Sequence, residues 1–124
     1  MLRDTDATTI VAVKDIGVAR GFYEGKLGFD AADPPADGMA SYRSGASTIV
    51  VYESEFAGTN KANAVVWTVP DFDDVMRDLH EAGVAFEHYD LPGLTLEGDV
   101  HVAKDFKGAW FKDPDGNILH INGR

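Results

Sequence analysis

Two ionisable side chains near predicted strand ends could do acid–base chemistry, His120 and Glu53. His120 alternates with Ile118 and Asn122 along a predicted last strand, so these three side chains share one face. An imidazole on that face could hydrogen-bond a ligand or act as a general base. It could equally be a partly buried histidine that bonds the backbone. Glu53 could also act as a base, although a carboxylate that ends a strand beside Glu55 is more often solvated.

Three aromatic side chains on predicted strands could form a surface for a flat, apolar ligand: Tyr52, Trp67 and Trp110. Rings that line a pocket stack on planar molecules, but aromatic residues on strands are more often part of the core. Trp67 has the opposite parity to Ala64, so if Ala64 faces a pocket, Trp67 faces the helix side of its sheet. The irregular residues before Trp110 leave its parity open.

The segment from residue 90 to residue 104 holds a further candidate, His101. The segment contains Pro92, Gly93 and Gly98 and is long for a connection between two strands. Loops of this length often serve as lids or binding loops, which makes His101 a candidate ligand-binding residue. The alternative interpretation is a mobile surface loop.

Other site chemistries find no support in the sequence. The chain has no cysteine, which excludes disulfides, thiolate nucleophiles and zinc–thiolate sites. No serine, histidine and aspartate set suggests a hydrolytic triad. The glycines Gly21, Gly25 and Gly28 lie in or after a predicted helix and do not follow a strand, as a dinucleotide-binding fingerprint requires.

Composition places the chain among ordinary globular proteins of one domain. It has 124 residues, of which 44% are hydrophobic and 26% charged, and a formal net charge of −10. Such a charge repels phosphate backbones, so we expect no binding to nucleic acid. No run approaches the roughly 20 apolar residues of a membrane helix, and the start does not resemble a signal peptide. We therefore expect no membrane partner and a cytoplasmic location.

The first half of the chain predicts a strand, a helix and three more strands. Residues 8–13 are β-branched and apolar, as in a buried strand. Apolar side chains recur at a helical period from Val18 to Leu27, and Gly28 stands where helices commonly end. The other predicted elements of this half are a strand that opens at Phe29, a turn-rich connection over residues 31–38 and a hairpin of residues 39–43 and 48–53.

The second half repeats this order. Val69-Pro70-Asp71 matches Val13-Lys14-Asp15 at an offset of about 56 residues. The sequence therefore predicts an α+β fold, a single domain over 1–124 built from two βαβββ modules at about 7–54 and 63–123. Joined edge to edge, these would form one curved mixed sheet with helices on its outer face and a ligand hollow on the other. The predicted elements of this half are strands at 64–69, 84–88, 106–112 and 118–122 and a helix at 72–82.

With these elements in order, the chain resembles the vicinal oxygen chelate superfamily, the group of the glyoxalases, bleomycin-resistance proteins and extradiol dioxygenases. The most specific part of the resemblance is Phe111-Lys112-Asp113-Pro114-Asp115-Gly116-Asn117 just before a final apolar strand. The resemblance implies paired βαβββ modules, often a homodimer, and a small-molecule ligand in the concave sheet. It extends over Val13-Lys14-Asp15, Phe22-Tyr23, Leu27-Gly28-Phe29, Val69-Pro70-Asp71 and Gly83-Val84.

The resemblance also implies where a divalent metal would be held in the enzymatic members. The four ligand positions fall near Thr8, within residues 51–53, near Ala64 and at His120. Threonine and alanine supply neither an imidazole nor a carboxylate. Glu53 and His120 alone are too few for a tight divalent site. We therefore expect no cofactor, and a divalent metal only with an incomplete ligand set.

Three functions remain open from the sequence. The first is a homodimer that binds a small apolar or aromatic molecule in the hollow without metal, and a cationic ligand would suit the net charge. The second is an enzyme: a metal-dependent lyase, isomerase or dioxygenase with an atypical ligand set, or a metal-free enzyme with His120 or Glu53 as base. The third is a non-catalytic partner or regulator.

Overall fold

The computed structural model describes residues 1–32 and 36–124. Within them the chain forms nine strands and two α-helices, and none of the helices is long and apolar enough to cross a membrane. The elements are a 3-10 turn (Leu2–Asp4), β1 (Thr9–Val13), α1 (Ile16–Arg20) continued by a π-helical segment (Gly21–Lys26), β2 (Met39–Ser44), β3 (Ser47–Glu53), β4 (Asn63–Thr68), α2 (Phe72–Glu81), β5 (Phe86–Glu87), β6 (Thr95–Glu97), β7 (Val100–Ala103), β8 (Phe106–Lys112) and β9 (Ile118–Gly123).

The strands form two mixed sheets, one from each half of the chain. Sheet A has the order β1-β3-β2, and sheet B has the order β4-β9-β8-β7-β6, with β5 beside β8. In each sheet the first strand of the module runs parallel to the last one, β1 to β3 and β4 to β9. This shared pairing bears out the α+β fold class and its two related modules. The strands pair as two sheets and not as one.

One core lies on the helix side of both sheets. Alternate strand residues such as Val11 and Val13 are buried there, while Ile10, which precedes Val11, is exposed on the other side. Asp15 begins α1 by accepting hydrogen bonds from the backbone N–H groups of Gly17 and Val18. We call the side that packs on the helices the helix face and the opposite side the open face. The side chains of this core include Ala19, Phe22, Tyr23, Tyr42, Ile49, Val51, Val65, Phe72, Met76, Leu79, Ala109, Phe111, Leu119 and Ile121.

The turn between β8 and β9 ties the two modules together through Asp113, which is buried. Its carboxylate accepts hydrogen bonds from the Tyr23 hydroxyl at 2.9 Å and from the backbone N–H of Asn117 at 2.9 Å. The Asn117 amide donates both to this carboxylate at 2.8 Å and to the Ala12 carbonyl at 2.7 Å. Burial, and then the Asp113 carboxylate, raise the pKa of Tyr23 far above its ordinary value, so its hydroxyl stays a donor. The β8–β9 turn thus also holds the two modules together, through the hydrogen bonds of Asp113 and Asn117.

The predicted strand that opens at Phe29 is wrong. The Phe29 backbone N–H caps the preceding helical segment by donating to the Tyr23 carbonyl at 3.0 Å, so it is not available to a strand. The Phe29 ring stacks between Tyr42 and Trp67, with ring centroids 5.9 and 6.2 Å away. The described residues of this connection form two isolated bridges, Ala31 with Tyr42 and Ala36 with Met39. Residues 33–35, part of the predicted turn-rich connection, lie outside the described residues.

The predicted long loop over residues 90–104 contains a β-hairpin. Strands β6 and β7 pair from Thr95 with Val102 to Glu97 with Val100. The two-residue turn between them has Gly98 at its first position with a φ of 62°, which is the position that type II′ turns reserve for glycine. His101 therefore lies on a strand and not in a mobile lid.

Candidate functional site

The open face of sheet B carries a group of four rings that we call the aromatic cluster: Tyr89, His101, Trp110 and His120. Trp110 stacks on His120 with ring centroids 4.1 Å apart and an angle of 18° between the planes. His101 meets Trp110 edge to face at 4.8 Å, and Tyr89 does so at 5.7 Å. Three of these four residues are candidates from the sequence, and the structure brings them together.

Strand register explains why the cluster forms. Trp110 is directly opposite His120 in the antiparallel pair of β8 and β9, and His101 is opposite Gly108 on the next strand. Side chains of directly opposed residues lie on the same face of a sheet. A Cβ atom at Gly108 would stand 3.0 Å from the His120 ring and 2.8 Å from the Phe106 ring. Glycine at that position therefore leaves room for the imidazole.

Hydrogen bonds fix both nitrogens of His120. Nδ1 lies 2.9 Å from the Ala109 carbonyl oxygen, and since a carbonyl only accepts, the proton is on Nδ1. Nε2 then accepts from the Asn122 side-chain amide at 3.1 Å. The Thr68 hydroxyl donates in turn to Asn122 Oδ1 at 2.8 Å, which orients the amide. The imidazole is held in one tautomer and one orientation.

This environment makes His120 a poor proton acceptor. Burial lowers its pKa below the ordinary value, His101 lowers it further, and the bond to Ala109 opposes the shift. The nitrogen that would take a proton is also occupied by the Asn122 amide. Of the two possibilities that the sequence leaves open for His120, the geometry therefore favours a buried, backbone-bonded ring that supports Trp110.

His101 is almost completely buried. Its Nε2 lies 3.0 Å from the Tyr89 backbone nitrogen and 3.1 Å from the Tyr89 carbonyl oxygen. Nε2 accepts from the N–H when it carries no proton and donates to the carbonyl when it carries one. Within the residues that the structure describes, Nδ1 is a buried atom without a hydrogen-bond partner. Its ring fills the space behind Tyr89 and Trp110, which both remain partly exposed.

Trp110 and Tyr89 are thus the cluster members that a ligand can touch. The Trp110 indole N–H donates to Asn63 Oδ1 at 3.1 Å, which fixes the ring edge at β4. Glu87 is opposite Trp110 in the β5–β8 pair, and its carboxylate lies 3.0 Å from the Lys112 ammonium group. An exposed Val66 is opposite His120 on β4. The accessible part of the site is aromatic and apolar, with the Glu87–Lys112 ion pair beside it.

The structure places the other predicted site residues elsewhere. Glu53 points to the helix face, where its carboxylate accepts from the Ile16 backbone N–H at 3.1 Å and caps α1. Trp67 also faces the helix side, as its parity to Ala64 predicts, and donates to the Ser44 hydroxyl oxygen at 2.9 Å. Tyr52 lies on the open face of sheet A, half-buried and apart from the aromatic cluster.

The residues around His120 do not fit a divalent metal. Its neighbours across the sheet are Val66 and Trp110, which offer no ligand atom. Thr8 and Ala64, at the positions where the resemblance implies ligands, offer no imidazole or carboxylate. In the described part of the chain, no three side chains of histidine, cysteine, aspartate or glutamate form a group that could hold a metal ion.

The sequence analysis does not single out the residues that support the cluster, which are Tyr89, Thr68, Gly108 and Asn122. Tyr89 follows β5. Its place in the aromatic cluster can be recognised only once β5 and β7 are known to lie beside β8. The alternation of Asn122 with His120 indicates from the sequence that the two side chains share a face. The bond of Asn122 to Thr68 depends on the β4–β9 register. Gly108 was not distinguishable from other strand glycines in the sequence.

Comparisons with known proteins agree with this architecture. A sequence model of the Glyoxalase/Bleomycin resistance protein/Dioxygenase superfamily matches residues 6–121. The chain therefore belongs to this superfamily. A search of curated proteins finds no significant match.

Several solved structures share the fold at low sequence identity. A glyoxalase family protein from Enterococcus faecalis is 18% identical, with 98% of this chain and 99% of that chain covered and a TM-score of 0.70. A bleomycin-binding protein complexed with bleomycin is 18% identical, with 96% and 98% covered and a TM-score of 0.69. The fosfomycin resistance protein FosX from Mesorhizobium loti is 11% identical, with 98% and 92% covered and a TM-score of 0.67.

Proposed function

We propose that the protein binds a small, flat aromatic molecule at the aromatic cluster and does so without a metal ion. The observation that carries this proposal is the stack of Trp110 on His120. Hydrogen bonds fix the imidazole, and the indole is partly exposed. A ring that is already fixed loses little conformational freedom when a ligand stacks on it. The solved relative that holds bleomycin supports binding as a function of this fold.

The charge of the protein favours a cationic ligand. The net charge is −10. The Glu87 carboxylate next to Trp110 is paired with the Lys112 ammonium group, so the attraction for a cation comes from the indole face and the overall charge. An indole face attracts cations through its quadrupole, and the acidic surface adds a long-range attraction. We therefore infer a planar aromatic cation as the class of ligand.

Titration of metal-free protein with two matched flat probes tests this proposal. We expect 9-aminoacridine, a cation, to bind about tenfold more tightly than naphthalene-2-sulfonate, an anion, at low salt. Bleomycin serves as a third probe. The fluorescence of each small probe gives its Kd, and elemental analysis of the same sample gives its metal content.

The expected binding survives treatment with EDTA. About one nickel, zinc, iron or manganese ion per chain, together with loss of binding when it is removed, would contradict metal-free function. Absence of saturable binding by all three probes would contradict the proposed site itself.

We further propose a homodimer that covers the open faces. Four large apolar side chains are exposed on these faces, Ile10 and Met39 on sheet A and Val66 and Leu96 on sheet B, with 55%, 46%, 48% and 41% of their surfaces accessible. Exposed apolar groups that lie on one face mark an association surface. A second copy of the chain would bury them and enclose the aromatic cluster.

Sedimentation of a charged variant tests the dimer. We expect the Ile10→Glu, Met39→Glu double variant to be a monomer, because burying two unpaired carboxylates would oppose association. Val18→Glu is the matched control, since Val18 is 56% exposed but lies on α1. A wild-type protein that sediments as a monomer would show that the dimer proposal is wrong.

A further inference from the structure

A cavity of about 200 Å³, open to solvent on one side, lies between the two modules on the helix face. Leu27 and Phe29 line it from the first module, and Trp67, Val75 and Leu79 line it from the second. Nearly all of its lining is hydrocarbon. It is separate from the aromatic cluster, because its floor includes Phe111 and Ile121, whose side chains point away from Trp110 and His120 on the same strands.

The hydroxyl of Ser44 faces this apolar space. Its oxygen accepts the indole N–H of Trp67 at 2.9 Å. A serine hydroxyl can donate one hydrogen bond as well as accept. Among the described residues, none accepts a hydrogen bond from the Ser44 hydroxyl, so a donor remains available at the cavity wall.

We propose that this cavity is a second ligand site, for a neutral molecule with one ring and a single hydrogen-bond acceptor. An apolar cavity of roughly 150 Å³ is enough to take up benzene. A space of about 200 Å³ has room for a ring with a short carbonyl substituent. The stacked Phe29 and Trp67 rings, 6.2 Å apart, give the ligand an aromatic wall, and Ser44 donates to the carbonyl oxygen.

The cavity and the aromatic cluster are expected to bind ligands of different charge. None of the described residues that line the cavity has an ionisable side chain, so a charged molecule would lose its hydration there without compensation. A planar cation suits the aromatic cluster for the reasons already given. The second site is thus selective for neutral molecules, and it does not depend on the function proposed for the first.

Titration with acetophenone and toluene, followed by the NMR shifts of the cavity methyl groups, tests the proposal. We expect saturable shifts at Leu27, Val75 and Leu79, with a Kd on the order of 1 mM or lower for acetophenone. Ser44→Ala should weaken acetophenone about tenfold and leave toluene unchanged, because only acetophenone accepts the hydroxyl proton.

Two further variants separate this site from the open face and from effects on folding. Val75→Phe should fill the cavity and abolish the binding of both probes while the circular dichroism spectrum stays that of the wild type. Trp110→Ala should leave both affinities unchanged. The proposal is overturned if saturating acetophenone shifts none of these methyl groups, or if Trp110→Ala removes the shifts.

Discussion

Replacing Asp113 by alanine is expected to destabilise the protein by about 3 kcal/mol or more. The buried carboxylate accepts from the Tyr23 hydroxyl, the Asn117 amide and the backbone N–H of Asn117. Each donor left buried without an acceptor costs about 1–3 kcal/mol. Domains of this size are stable by only about 5–15 kcal/mol, so the loss is a large part of the total. Urea unfolding followed by circular dichroism measures it.

Asp115→Ala is the matched control for this experiment. Asp115 is in the same turn, but only its backbone N–H takes part in the bonds to Asp113. We expect a change within about 0.5 kcal/mol, as for most surface substitutions. If the two variants shift the urea midpoint equally, the hydrogen bonds of the Asp113 side chain do not make the predicted contribution to the free energy of unfolding.

Replacing Trp110 by alanine is expected to weaken the binding of 9-aminoacridine by roughly 30-fold or more. Truncation of a central tryptophan in a binding site commonly costs about 2 kcal/mol or more, and 1.4 kcal/mol corresponds to a factor of ten. The variant loses both the exposed indole face and the ring that stacks on His120. The fluorescence of the probe gives Kd without relying on the tryptophan signal.

Trp67→Phe is the control for Trp110→Ala. Trp67 lies on the helix face, and its indole N–H donates to Ser44, so its replacement should leave the affinity for 9-aminoacridine unchanged. Trp110→Phe should retain most of the affinity, since a phenyl ring still stacks. An unchanged Kd in Trp110→Ala would show that the probe binds elsewhere.

Periodicity in the sequence was enough to predict most of the fold. Helix α2 and strands β3, β4, β8 and β9 follow from apolar alternation and helical spacing, because each has one buried face. The hairpin β6–β7 was missed although Gly98-Asp99 is a recognisable two-residue turn. Proline and glycine nearby, at Pro92 and Gly93, favoured a loop.

The site was harder to predict because it depends on pairing between strands. The face of His120 could be worked out from its own strand, whereas the face of Trp110 required the β8–β9 register. Glu53 has the parity of Val51 and therefore points to the helix face, where α1 begins. Burial of His101 follows only from the position of β7 beside β8.

The bonds that lock the modules also determine when folding can finish. The Ala12 carbonyl and the Asn117 amide are separated by 105 positions, and the Tyr23 hydroxyl and Asp113 by 90. During synthesis, residues 12 and 23 leave the ribosome long before their partners exist. Contacts of such long sequence separation form late and slow the folding of a domain. The first module of the nascent chain is therefore expected to keep part of its apolar surface exposed until the turn between β8 and β9 has emerged.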